Sequence, residues 1–187
     1  MKLTVLQTLC PGPVIPAART IEDLRLAFAC QAPGIMLLFG DINTLPGVLS
    51  EASRHHKKLI VHLDLLEGVG KDRAGVRCLA RMGVPALITT KSQLVKAARE
   101  DGLVVIQRLF MMDSDTLRNG IKIIRNVKPD AIEILPASVP PFVFQELARE
   151  VQLPILAGGL VNTQQDVQQA LANGASAVST SSAQLWE

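Results

Sequence analysis

Eight short apolar runs, each followed by an amphipathic segment, repeat along the 187 residues of this chain. They are Val14–Ala17, Ile35–Phe39, Leu59–Leu65, Ala86–Thr89, Leu103–Leu109, Ala131–Leu135, Ile155–Ala157 and Ala175–Val178. Their residues are apolar at successive positions, the pattern of parallel strands buried on both faces. The segments between them carry helix punctuation. Thr20 and Asp72 stand where N-caps belong, Gly83 where a helix stops, and Pro140-Pro141 where one starts. Eight βα units predict a compact (β/α)8 TIM-like barrel, with an open doubly wound sheet as the alternative. At 187 residues, against about 250 for the usual barrel, its loops are minimal. No linker, charge block or low-complexity stretch divides the chain, so a single domain is expected over 1–187.

Composition narrows the function classes. Hydrophobic residues make up 48%, too many for a disordered chain. A formal charge of +2 neither announces nor excludes a nucleic-acid partner. Aromatics are only 3%, so base-stacking platforms are scarce. Cys10, Cys30 and Cys78 are scattered and form no CxxC pair, which indicates neither a disulfide framework nor a zinc site. With no secretory leader pattern at Met1–Thr4 and no bilayer-length apolar run, a cytoplasmic location without a membrane partner is expected.

The segment Pro154–Ser182 points to chemistry. A short strand meets Gly158-Gly159, a helix follows from Thr163, and a second strand ends in Ser179-Thr180-Ser181-Ser182. Glycines let a backbone approach an anion, and helix-start amides attract one. Paired turns of this kind after strands seven and eight form a recurrent phosphate site in barrels. Gly158, Gly159, Ser179, Thr180 and Ser181 are therefore candidate ligand contacts. As plain turn and cap residues they would need no ligand.

Other polar residues fall in or after predicted strands: Asp64, Lys91, Arg108 and Glu133, with His62 beside Asp64. A charge inside an apolar strand needs a reason, because unpaired burial is costly. Asp64 and Glu133 are read as acceptors for ligand hydroxyls, or else as members of an internal ion-pair network with Arg108 or Lys91. Lys91 and Arg108 could balance a phosphate, and Lys91 could instead form a Schiff base in a phosphosugar isomerase or aldolase. Asp41, Asp64, Glu67 and Asp113 could gather magnesium, but acids at helix starts are ordinary caps, so no metal and no cofactor is expected. The most basic run, Arg54–Lys58, suits a solvated helix C-terminus, with an RNA contact as the lesser alternative.

The whole set resembles the glycerol uptake operon antiterminator regulatory proteins, the glycerol-3-phosphate responsive antiterminators. The likeness is carried in order by LLFGDI (37–42), VHLDLLEGVGKD (61–72), ITTK (88–91), IQRLFMMDS (106–114), PDAIEILP (129–136), PILAGGL (154–160) and ALANGASAVSTSSAQLW (170–186). Thr89, Ala137 and Asn173 depart from the family pattern, which has Ser, Gly and Ala there. The resemblance implies a regulator, not an enzyme, that senses glycerol 3-phosphate and binds the leader mRNA of glycerol-utilisation genes to prevent termination. It leaves a homo-oligomer open. On that reading the phosphate lies on Gly158-Gly159 and Ser179–Ser181, its hydroxyls meet Asp64 and Glu133, and Lys91 and Arg108 balance the charge.

Overall fold

The computed structural model describes residues 9–186. Eight parallel strands close into a barrel in chain order. They are β1 (Val14–Ala18), β2 (Gly34–Leu37), β3 (Lys58–His62), β4 (Ala86–Thr89), β5 (Val104–Phe110), β6 (Ala131–Leu135), β7 (Ile155–Gly158) and β8 (Ala177–Thr180). Helices α1 (Ile21–Ala29), α2 (Leu45–Arg54), α3 (Arg73–Arg81), α4 (Val95–Glu100), α5 (Ser114–Val127), α6 (Pro141–Val151) and α7 (Gln164–Ala172) each follow the strand of the same number. The expected barrel is thus observed, and the doubly wound alternative falls with the β1–β8 pairing. No helix among the described residues is long and apolar enough to cross a membrane.

Local chemistry explains the helix starts. Thr20 with Asp23, Asp113 with Thr116, and Thr163 with Asp166 form reciprocal capping boxes, and Asp72 accepts from the Gly75 amide. Two expectations need correction. The apolar run Leu59–Leu65 is not all strand: β3 stops at His62, whose carbonyl accepts the amides of Leu65 and Leu66. Asp64 therefore lies in a turn and does not share a strand face with His62. The segment after β8 forms only a single 3-10 turn, Ala183–Leu185, in place of an eighth helix.

Packing divides into three parts. Alternating large and small side chains fill the barrel interior, among them Ile15, Met36, Ile60, Ile106 and Leu156 with Ala86, Ala131 and Ala177. Two further clusters bury the helices against the outer strand faces, one on the β1–β5 side and one on the β5–β8 side. Toward the C-terminal strand ends the interior turns polar: His62, Glu133 and Ser179 are all buried there. That polar layer is the floor of the site.

Candidate functional site

Glu133, in β6, has no exposed surface. Burying a carboxylate is costly unless it is paired and hydrogen-bonded. Arg108, at the paired position of β5, donates through Nε to Glu133 Oε2 at 2.6 Å, and Ser179 of β8 donates to Oε1 at 2.5 Å. Arg108 Nη1 lies 2.8 Å from His62 Nε2. One chain of polar contacts thus crosses the barrel from β3 to β8.

Burial, reinforced by the Arg108 charge, pushes the His62 imidazole down to about 4. His62 is then neutral at pH 7, accepts the guanidinium at Nε2, and carries its proton on Nδ1. That atom is buried and has no partner among the described residues. With Nε and Nη1 committed, the Arg108 guanidinium is held rigidly, and its Nη2 has no protein partner among the described residues.

Arg108 also lines a polar cavity of about 100 Å³ at the C-terminal strand ends. Around it stand Arg19, Gly159, Ser179, Thr180 and Ser181. Such a volume is small beside the roughly 300–1,000 Å³ of pockets for drug-sized ligands, so it has room only for a small molecule or ion. Two arginines and a hydroxyl-lined turn suit an anion, because a guanidinium fork matches phosphate geometry.

The loops bordering the cavity are held from several directions. Thr180 Oγ1 donates to the Val161 carbonyl at 2.7 Å, and the Ser182 hydroxyl reaches the same carbonyl at 3.2 Å. The buried Trp186 indole donates to the Thr180 carbonyl at 2.8 Å. Gly159 has φ +76, a left-handed conformation that side-chain-bearing residues adopt at a cost. Its carbonyl accepts the Ala137 amide at 3.2 Å, so alanine at 137 still permits that close backbone contact. Asn173 is right-handed, and the left-handed turn falls on Gly174.

The structure brings together Arg108, Gly159, Ser179, Thr180 and Ser181 of the candidates read from sequence. Asp64, Lys91, Glu133 and Gly158 do not line this cavity. Gly158 sits beneath it, and a Cβ there would come 2.4 Å from Ser179 Oγ. Asp64 accepts from the Thr89 hydroxyl and the Thr90 amide, both at 2.7 Å, and from the Thr90 hydroxyl at 2.9 Å. Partial burial pushes its carboxyl up, but those bonds hold it below the ordinary range. Lys91 opens the turn after β4, its amide on Thr89 Oγ1. Lys71 donates to the carbonyls of Leu63 and Leu66, and burial lowers its ammonium against the opposing pull of Asp64.

Just before α7, Asp166 accepts the amides of Asn162 and Thr163, and Thr163 Oγ1 accepts that of Asp166, so these three amides are not free for an anion. Asp41 and Asp113 likewise serve as local turn and cap acceptors. No cluster of three His, Cys, Asp or Glu residues with metal-holding geometry exists among the described residues. Sequence reasoning missed Arg19. The available signal was a lone arginine directly after the first strand.

The comparisons with known proteins agree with this architecture. A crystal structure of a glycerol uptake operon antiterminator regulatory protein from Listeria monocytogenes superimposes with TM-score 0.88 at 32% identity, over 92% of this chain and 94% of that one. A glycerol uptake operon antiterminator-related protein from Thermotoga maritima gives TM-score 0.83 at 27% identity, over 92% and 96%. The Escherichia coli (strain K12) protein YgcP, whose own function is uncharacterized, is 32% identical over 98% of this chain and 96% of its own length. Residues 14–186 match the family model described as glycerol-3-phosphate responsive antiterminator. The chain belongs to that family of glycerol-3-phosphate responsive antiterminators.

Proposed function

We propose that this chain is a non-enzymatic sensor, one domain throughout, that binds glycerol 3-phosphate at the barrel mouth and, when loaded, binds a leader mRNA to prevent premature termination. The observation that supports it most is the Arg108 guanidinium, anchored by Glu133 and His62, on a small polar cavity between the β7 and β8 turns. On this reading Arg108 and Arg19 meet the phosphate, while Gly159 and the Ser179–Ser181 turn surround it. Gly158 and Glu133 act from below: the glycine leaves room for Ser179, and the carboxylate orients both Ser179 and Arg108. Asp64 and Lys91, at the ends of β3 and β4 across the mouth, face the hydroxyl-bearing end.

A ligand shifts an equilibrium only by its differential affinity for two states. A dianion bridging Arg108 and Arg19 ties the β1 loop and the β7 and β8 turns to the fixed guanidinium of strand β5, and that arrangement is the RNA-competent state. The test is transcription in vitro on a template carrying the leader terminator of a glycerol-utilisation gene. Readthrough rises when protein and glycerol 3-phosphate are both present. Readthrough that is indifferent to the ligand would overturn the proposal.

A further inference from the structure

We infer that the RNA backbone lies on the opposite end of the barrel from the ligand cavity, in a basic groove between α2 and the start of β3. The inference rests on the RNA-binding reading above. The groove, about 660 Å³, is lined by Ser50, Ser53, His56, Lys58 and Met82 among others, with no acidic residue in its wall. Lys58 opens β3, so it belongs to the N-terminal strand ends.

Charge bookkeeping separates this groove from the rest of the surface. Glu51, the single acid of α2, is already engaged by Arg54 at 3.0 Å and His55 at 3.3 Å. Helix α3 has three arginines and no acid. Arg73 pairs with Glu100 and Arg77 with Asp101, which leaves Arg81, one residue before Met82, without a carboxylate partner among the described residues. Lys58 has none either, and Lys57 is fixed on the Cys30 and Ala32 carbonyls. By contrast, the neighbouring hollow of about 500 Å³ contains Glu100 and Asp130.

Uncompensated cations with serine hydroxyls suit a phosphate backbone, which dominates nucleic-acid affinity. An acidic peptide would also answer the charge. The serine hydroxyls among these cations add neutral donors that a phosphate oxygen accepts, and the RNA-binding reading on which this inference rests selects RNA over the peptide. Ligand and RNA then occupy opposite ends of the barrel and do not compete.

The test measures anisotropy of a labelled mixed-sequence single-stranded RNA against salt, with glycerol 3-phosphate present. Lys58→Gln/Arg81→Gln is compared with Lys96→Gln/Lys122→Gln, an equal charge loss on α4 and α5. Two lost phosphate contacts lower the slope of log affinity against log salt by about 1.4 in the first variant only. Its calorimetric titration with glycerol 3-phosphate stays unchanged, which also verifies folding. Equal slopes in both variants would overturn the groove. Equal slopes together with polyglutamate binding that is lost in Lys58→Gln/Arg81→Gln would overturn RNA as the occupant and assign the groove to an acidic protein. No RNA binding by the unaltered chain would remove the RNA reading itself, and the groove with it.

Discussion

Replacing Gly158 by alanine tests the polar layer that carries the site. A Cβ at 158 would lie 2.4 Å from Ser179 Oγ and 2.9 Å from Glu133 Oε1. Gly158 is not left-handed, so the cost is packing and not backbone strain. Forcing those atoms apart costs about 1–3 kcal/mol as overpacking. Losing the 2.5 Å hydrogen bond from Ser179 to a buried carboxylate costs about 1.5–3 kcal/mol more. Gly158→Ala is therefore expected to lose about 2.5–6 kcal/mol, and Ser179→Ala about 1.5–3 kcal/mol. The double variant no longer has the closest clash and has already lost the bond, so it loses about 2–4 kcal/mol, well short of the sum. Urea unfolding followed by fluorescence of the single, buried Trp186 measures all three. Costs that add to within about 0.5 kcal/mol would show that Gly158 and Ser179 act independently and refute the reasoning.

Three other outcomes follow from the same geometry. His62 has its folded value pushed below its ordinary 6.5, so the unfolded chain binds the extra proton; stability from this group is intact above about pH 6.5 and falls by about 3 kcal/mol as pH drops to about 4. His62→Gln removes that slope, and parallel curves for the two proteins over this window would disprove it. Gly159→Val puts a β-branched residue at φ +76 and is expected to cost about 1–3 kcal/mol and abolish binding of the phosphate ester while far-ultraviolet dichroism persists. Retained affinity would exclude the Gly159 turn from the site. Asp64→Ala is expected to weaken glycerol 3-phosphate more than inorganic phosphate; equal losses would mean that Asp64 does not meet the hydroxyls.

Much of the barrel was legible because parallel strands buried on two faces leave unbroken apolar runs, and caps such as Thr20 and Asp72 mark helix starts locally. Where a strand ends was less legible. Leu63 and Leu66 are buried under the β3 loop, so the apolar run outlasts the strand and drew Asp64 into it. The site was legible by type more than by partner. Glu133 and Arg108 stood out as charges in apolar strands, but their pairing across β5 and β6 and the bond to His62 depend on register, which composition does not reveal. Gly158 looked like a turn residue, whereas its missing side chain makes room for Ser179 and Glu133. Arg19 escaped notice because one arginine after a strand is ordinary until the closing β1–β8 contact brings it to Ser181.

Calorimetric titration of the purified chain with glycerol 3-phosphate, with inorganic phosphate and glycerol alongside, tests the central claim most directly. The account predicts saturable one-to-one binding of the ester, at least about tenfold tighter than either fragment, a difference of about 1.4 kcal/mol or more. An ester that gives no heat, or binds no better than inorganic phosphate, would contradict it.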